Sequence, residues 1–317
     1  MTELAAIAER YRRFVDDQVR GRSAIYETLG LAVADSPEIL SFLSELPASK
    51  QQPNLLLAAV RHVCGVPSDG PAMAAAIRAH GPEIRALMLA RSTQTNEPGR
   101  CALMMPILAR LPQPLALFEI GASAGLCLFP DRYGYDYGGA TLLPPGASAD
   151  IPVFPCAIDP PDAAPRTYPV IAWRAGLDLN PLDPDDPAER DWLRTLVWPE
   201  QTARADRLAA ALDIARLCPA AVHRRNLLDP LDGLFDGAPA GAVRVMVHSS
   251  VLAYVEDPDE RKAVCDRIRA ACDVWICARA PASCPGSPTA GRRRRRACSC
   301  WRSTESRSPG PTRTVRR

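Results

Sequence analysis

Five short apolar runs limit the folds open to this chain more than any other feature of its sequence. They are LALFEIG from Leu115, PVIAW from Pro169, AAVHRRN from Ala220, AVRVMVHSS from Ala242 and DVWIC from Asp273. Between them lie stretches with helical periodicity, the longest of which are Ala188 to Leu217 and DPDERKAVCDRIRAAC from Asp257. Short strands that alternate with helices predict an α/β domain with a doubly wound, mostly parallel sheet. We place this domain at residues 111–278.

The first 110 residues follow a different pattern, because their apolar residues recur at intervals of three and four. Ser36-Pro37-Glu38 has the form of a helix start before ILSFLSEL, and Gly65 and Gly81 have the form of helix stops. These features predict a helical N-terminal region, residues 1–110, that precedes the sheet domain as a subdomain or cap.

Composition excludes several classes of protein. No apolar run approaches about 18 residues, and MTELAAIAERYRRFVDD carries charges from its start, so we expect no membrane span, no signal peptide and a cytoplasmic location. The 11 cysteines form no C-x-x-C pair and the 4 histidines are far apart in sequence, which disfavours a disulfide framework and a metal site.

The charge is unevenly distributed along the chain. From Arg279 onward lie 11 of the 38 basic residues and one of the 36 acidic residues, so the first 278 residues carry a net charge of −8. Nucleic acid is therefore not an expected partner of the body of the chain.

Residues 279–317 allow two interpretations. The first is a disordered basic tail that contacts nucleic acid or an acidic partner. The second is a frameshift, because moving each codon by one nucleotide turns Cys298, Ser299, Cys300 and Trp301 into apolar residues. With GC-rich codons the shifted frame can read LLVLALDGVPVAWTDPHG, which has the form of a β-hairpin. We favour the frameshift and expect the segment as written to be disordered; the encoding DNA, read in all frames past codon 276, decides between the two.

The turn after the first predicted strand, EIGASAG, is the most informative motif. Its glycines let the backbone turn and approach a ligand, and a helix in ASAGLCLF would present free N–H groups at its start. The dinucleotide fingerprint G-x-G-x-x-G is not met, because Ser123 stands where the second glycine belongs. The motif instead resembles the E-x-G-x-G-x-G loop of S-adenosylmethionine-dependent methyltransferases, which implies cofactor binding by Glu119, Gly121, Ser123 and Gly125. A tight turn without a ligand is the alternative.

Two further motifs follow in the order that this resemblance implies. GLDLNP, with Asp178, resembles the end of a second strand whose acid binds ribose hydroxyls, and NLLD, with Asp229, resembles a third-strand acid near the adenine. The resemblance implies a Rossmann-like domain, whereas helix capping by the two acids is the alternative. Asp178 lies 59 residues after Glu119 instead of the usual spacing of about 20. Either residues 130–170 are an insertion, or Asp136 in YGYDYG is the ribose acid.

Other polar residues are candidates for substrate contacts. Gln94, Asn96, Glu97 and Arg100 form a dense polar group that suits either substrate binding or an inter-helix hydrogen-bond network. His248 and Ser249 follow the fourth predicted strand, at the edge where open α/β sheets bind ligands. We predict substrate binding by Ser249, and a general base or a structural role for His248. No G-x-S-x-G pattern indicates a hydrolase.

Longer segments resemble an uncharacterised bacterial family, the domain of unknown function 2332. The matching segments are RSTQTNEPGR, LFEIGASAGLCLFPDRYGY, WRAGLDLNPLDPDD, WLRTLVWPEQTARADRL and VHSSVLAYV, which together span most of residues 85–275. In that family the end of the chain is similar to the shifted reading of the tail. The family has no established activity, so the resemblance implies the fold more than the function.

These motifs lead to one hypothesis and one rival. The hypothesis is that the domain binds S-adenosylmethionine, a small nucleoside ligand, and transfers its methyl group to an unknown acceptor. The rival is a non-catalytic nucleotide-binding or regulatory protein, since a fold does not by itself specify a function.

Overall fold

The computed structural model describes residues 2–94, 96–139, 141–148, 150–278 and 298–299. The chain forms two compact units, the first from Met1–Pro98 and Leu182–Pro219 and the second from Gly99–Pro181 and Ala220–Arg317. Within the described ranges, no helix has the length and apolar character that crossing a membrane requires.

The α-helices begin and end close to where the sequence places its caps. They are α1 (Glu3–Phe14), α2 (Ala24–Asp35), α3 (Pro37–Ser44), α4 (Pro53–Cys64), α5 (Gly70–Ala90), α6 (Cys101–Leu108), α7 (Pro187–Thr195), α8 (Thr202–Leu217) and α9 (Pro258–Ala271). The helix start predicted at Ser36 is confirmed, because the Ser36 side chain accepts a hydrogen bond from Ile39 N. The stop predicted at Gly81 is confirmed in part, because the helical backbone is interrupted beside it at His80, where φ is −126° and ψ is 20°. Helix α5 continues through Gly81 with a kink at His80, since Pro82 has no N–H to donate.

The first unit contains α1–α5 together with α7 and α8. Residues 182–219 belong to it because their tryptophans are part of its core. Trp192 is buried and donates from Nε1 to the Ser92 carbonyl at 3.1 Å. The Trp198 ring lies 6.3 Å from the ring of Phe14 and 5.8 Å from that of Tyr26. The unit boundary thus differs from the single boundary expected after residue 110.

The strands form two sheets in the second unit. They are β1 (Leu115–Ile120), β2 (Gly134–Asp136), β3 (Thr141–Leu142), β4 (Val153–Pro155), β5 (Ile171–Asp178), β6 (Ala221–Arg224), β7 (Val243–His248), β8 (Val274–Ala278) and β9 (Cys298–Ser299). The larger sheet has the order β6-β5-β1-β7-β8-β9 and all its pairings are parallel. The predicted class, a helical N-terminal region followed by an α/β domain with a parallel sheet, is confirmed. The smaller sheet, β3-β2-β4, lies in the segment that the sequence marked as an insertion.

The order of the larger sheet locates the edge at which sheets of this topology bind ligands. Numbered along the chain within this sheet alone, the strands follow the order 3-2-1-4-5-6, as in doubly wound dinucleotide-binding sheets. The chain therefore leaves β1 towards β5 on one side and returns on the other side at β7. The carboxyl end of β1 is the switch point at which such sheets bind ligands.

The expectation for the C-terminal segment falls almost wholly outside the described residues. Of residues 279–317, the structure describes Cys298 and Ser299, which pair in parallel with Cys277 and Ala278 at the edge of the sheet. The frameshift and the predicted disorder stay predictions.

Candidate functional site

The loop that follows β1 adopts a left-handed backbone at three positions. The φ angles are 73° at Gly121, 52° at Ser123 and 71° at Gly125. At Gly121 a Cβ atom would lie 3.1 Å from Val251 Cβ, and at Gly125 it would lie 3.2 Å from Val222 Cγ2. Glycine is required at both positions by backbone conformation and by close packing. The left-handed Ser123 is a strained residue of the kind that concentrates at functional sites.

The expected helix after this loop is not formed. A short 3₁₀ turn, Leu126–Leu128, takes its place, and all three of its side chains are buried. An amphipathic helix needs one polar face, which an all-buried segment lacks. The loop therefore has no helix N-terminus with free N–H groups.

The N–H groups of the loop are largely used within the protein. Gly121 N and Ala122 N donate to the Leu177 carbonyl at 2.8 and 3.0 Å, and Gly125 N donates to the Ala122 carbonyl at 2.7 Å. Ser123 N donates to Asp178 Oδ2 at 2.8 Å. A phosphate needs several free N–H donors, so the loop is not organised as a phosphate cradle.

Asp178 and Asp136, the two candidates for the ribose acid, lie in different sheets. Asp178 ends β5 beside the glycine loop, where Oδ2 binds Ser123 N and Oδ1 accepts from Asn180 N at 2.8 Å. Asp136 lies on β2 in the smaller sheet and accepts from Gly138 N at 2.9 Å. Proximity to the loop thus favours Asp178, although one of its oxygens already holds the loop.

Asp229 lies after the carboxyl end of β6. Its Oδ2 accepts a hydrogen bond from Asn226 N at 3.1 Å, so the carboxylate closes a tight turn. The same edge of the sheet carries Asp178 at the end of the neighbouring strand β5.

Glu119 is the buried acid of the site. It is 5% exposed, and its Oε2 has no hydrogen-bond partner among the described residues. Burial raises the pKa of this carboxyl well above its usual range, the neighbouring Cys127 thiol raises it further, and Arg100 lowers it. The group therefore stays protonated to a higher pH than an exposed glutamate does.

Arg100 and Ser249 lie together in the second unit. Arg100 Nη1 donates to Ser249 Oγ at 2.9 Å, just after the carboxyl end of β7. His248 is 2% exposed, with Nδ1 3.1 Å from the Ser249 carbonyl and its ring 5.4 Å from that of Trp275. A general base must come within hydrogen-bond distance of the substrate proton that it removes. The burial of His248 therefore limits its contact with a substrate from solvent.

The other three residues of the dense polar group belong to the first unit. Gln94, Asn96 and Glu97 precede the unit boundary at Pro98, whereas Arg100 follows it. Glu97 Oε2 accepts a hydrogen bond from Arg204 Nε at 2.6 Å, and this ion pair joins the segment to α8. For Glu97, a hydrogen-bond network between elements of the first unit is therefore observed.

A group of side chains that the sequence analysis did not single out holds the chain after the glycine loop. We call Asp131, Tyr133, Tyr135 and Arg174 the clamp. The donors are the Tyr133 hydroxyl to Leu126 O at 2.7 Å, Arg174 to Leu128 O at 2.8 Å and the Tyr135 hydroxyl to Pro130 O at 2.5 Å. Arg174 also binds both oxygens of Asp131 at 2.8 Å. The clamp supplies the hydrogen bonds that a helix would otherwise make within itself.

Comparison with known proteins identifies a family but no activity. A family model described as "Uncharacterized protein conserved in bacteria (DUF2332)" matches residues 8–309, a range that includes most of the tail. No curated protein matches the chain. No solved structure matches it either.

Proposed function

The chain belongs to the DUF2332 family of uncharacterised bacterial proteins, and we propose that it binds S-adenosylmethionine or a related nucleoside at the carboxyl end of β1. The observation that carries the proposal is the hydrogen bond from Ser123 N to Asp178 Oδ2, which joins the left-handed loop to the end of the next strand. This contact lies at the switch point of a parallel sheet, the usual place for a nucleoside.

The hydrogen bonding of the loop favours a nucleoside over a dinucleotide. A pyrophosphate needs free N–H donors and the positive end of a helix, and here the donors bind Leu177 and Asp178 instead. A nucleoside needs acceptors for its ribose hydroxyls, which carboxylates supply. The residues present therefore fit a ligand without phosphate groups.

Each acid has a role in this proposal. Asp178 would bind the ribose, Asp229 would lie towards the base, and Glu119 would face the end of the ligand that carries the sulfur. S-adenosylmethionine would supply an activated methyl group. The chain's contribution to a transfer would be to hold donor and acceptor in position, with His248 as the candidate base and Arg100 and Ser249 as polar contacts.

The burial of His248 supports a second candidate function, a nucleoside-binding protein without catalysis. With 2% of its surface exposed and its ring against Trp275, His248 has the surroundings of a structural histidine. Turnover of bound S-adenosylmethionine to S-adenosylhomocysteine separates the two functions.

Calorimetry with S-adenosylmethionine, adenosine and NAD tests the proposal. We expect the first two to bind the full chain and NAD to bind at least about tenfold more weakly. Asp178→Asn should weaken nucleoside binding by about tenfold or more, because a charged acceptor for the ribose is lost.

Asp136→Asn is the matched control for this substitution. Asp136 also accepts a backbone N–H two residues ahead, but from a place in the smaller sheet. Wild-type protein that binds neither nucleoside would refute the proposal. A loss of binding in Asp136→Asn with none in Asp178→Asn would move the ribose site to Asp136.

A further inference from the structure

The surroundings of Glu119 leave one of its oxygens without a donor. Its neighbours in the sheet are Gly176 on β5 and Val247 on β7, neither of which has a polar side chain. The residue is only 5% exposed, and Oε2 has no partner in the described chain. A buried acceptor without a donor destabilises the fold.

The charged and titratable groups that face Glu119 come from several elements. They are the Cys127 thiol, which is hydrogen-bonded to the carboxyl, Arg100 before α6, Asp178 at the end of β5 and the Tyr133 hydroxyl. Burial raises the pKa of the Tyr133 hydroxyl well above its usual range, so this group stays neutral, and it donates to Leu126 O. Arg100 directs Nη1 to Ser249 Oγ. Burial outweighs the influence of Arg100, so the pKa of Glu119 is raised overall.

We propose that the site recognises the positively charged group of its ligand through Glu119, and that the Glu119 proton passes to solvent when this cation binds. The inference rests on the proposed nucleoside site and specifies the chemistry of one end of the ligand. A neutral carboxylic acid is cheaper to bury than a carboxylate, and a cation within about 4–6 Å reverses that preference. The unpartnered Oε2 is the atom that a ligand ammonium or sulfonium would approach.

The consequence is selection by charge. Nucleosides that carry an ammonium or sulfonium group gain the contact with Glu119, and neutral nucleosides do not. Affinity for the cationic ligand should rise with pH until the carboxyl ionises without the ligand, because less work is then needed to remove its proton.

Isothermal titration calorimetry of the full chain in phosphate and in Tris buffer tests this. Two probes are titrated, S-adenosylmethionine and the neutral 5′-methylthioadenosine. The difference between buffers should show release of up to about one proton with the first probe and none with the second. Glu119→Gln should weaken S-adenosylmethionine at least about tenfold and abolish proton release, while 5′-methylthioadenosine binds as before.

Glu189→Gln is the matched control. Glu189 also has a buried Oε2 without a hydrogen-bond partner, but its Oε1 is paired with Arg91 at 2.7 Å in the first unit. The Glu189→Gln variant should bind both probes as wild type does. If Glu119→Gln fails to fold, proton release by wild type with the two probes decides alone.

The outcomes separate this inference from the proposed function. Equal affinities of wild type for the two probes, without proton release, would overturn charge recognition and leave the nucleoside site standing. Charge recognition is also overturned if a folded Glu119→Gln binds S-adenosylmethionine as tightly as wild type. If neither S-adenosylmethionine nor 5′-methylthioadenosine binds to the wild-type chain, both proposals are refuted.

Discussion

The clamp and Glu119 are close in the second unit, but they differ in the hydrogen bonding of their buried polar atoms. In the clamp, the carbonyls of Leu126, Leu128 and Pro130 each receive a donor from a tyrosine or from Arg174. The Asp131 carboxylate, at 15% side-chain exposure, is paired at both oxygens. Glu119 is more deeply buried and keeps an oxygen without a partner.

The difference shows that donors are available in this part of the fold. Tyr133 contributes its hydroxyl to the clamp and also lies close enough to Glu119 for the two groups to influence each other's charge. A polar group that stays unsatisfied beside satisfied ones, at a ligand-binding edge, indicates a group that serves binding more than stability. Under the ligand site proposed above, the clamp is the structural part of the region and Glu119 the functional part.

The largest effect should come from breaking the clamp at Arg174. Arg174→Met leaves the Asp131 carboxylate without its two donors and the Leu128 carbonyl without its donor, so the free energy of unfolding should fall by about 3 kcal/mol. Urea denaturation at pH 7 measures it.

Arg132→Met is the control on the same carboxylate. Arg132 Nε lies 3.5 Å from Asp131 Oδ2, but its side chain is 56% exposed. Its removal should cost less than about 0.5 kcal/mol. Equal losses in the two variants would mean that the clamp is not what holds this segment.

The strands and the switch point could be predicted from the sequence, because each strand is a compact apolar run. The contact of Asp178 with the loop follows from the same rule, since parallel strands bring their carboxyl ends to one edge. The 3₁₀ turn could not be predicted this way, because Leu126, Cys127 and Leu128 are apolar in either conformation. Tyrosines at alternate positions, Tyr133 and Tyr135, were a sequence signal of a short extended segment whose hydroxyls donate hydrogen bonds to neighbouring carbonyls.

Two other features depended on contacts that sequence spacing does not encode. Residues 182–219 read as a crossover between strands, and only the packing of Trp192 and Trp198 assigns them to the first unit. The unpartnered oxygen of Glu119 depends on Gly176 and Val247 being its neighbours in the sheet. Both neighbours are set by the register in which β5 and β7 pair with β1. The sequence of each strand alone does not show this register.

The second effect concerns the glycine loop that lies between the clamp and Glu119. Gly125→Ala should destabilise the protein by about 2 kcal/mol, because a side chain is strained at this φ and would also press on Val222 and Leu128. Gly138→Ala is the control, since φ is +79° there and nothing lies within 4 Å of an added Cβ. It should lose only about 1 kcal/mol. Thermal melts of both variants measure the difference, and no difference would mean that the loop tolerates a side chain.

The third effect has the opposite sign and tests Glu119 as the functional part. Glu119→Gln should be more stable than wild type by on the order of 1 kcal/mol at pH 8, with little difference near pH 4. The raised pKa means that the folded state holds this proton more tightly than the unfolded state does. Wild-type stability therefore falls as the pH rises from the ordinary glutamate pKa towards the raised one, and an amide does not titrate.

Urea midpoints at pH 5, 6.5 and 8 follow this difference. A gain that is constant across the three values would assign it to packing instead of charge. A loss of stability at every pH would show that the carboxyl makes a stabilising contact, and its comparison with the clamp would then fail.

The smallest effect separates the two parts of the region by their readouts. Tyr135→Phe removes the donor to Pro130 O and should cost about 1 kcal/mol or less. Tyr254→Phe, at a residue that is 81% exposed, should change stability by less than about 0.3 kcal/mol. Because the Tyr135 hydroxyl donates to Pro130 O and has no part in the proposed ligand site, Tyr135→Phe should bind S-adenosylmethionine within about twofold of wild type, with unchanged proton release. If it instead weakens the ligand as much as Glu119→Gln does, the clamp and Glu119 act as one unit, and the division into a structural and a functional part is wrong.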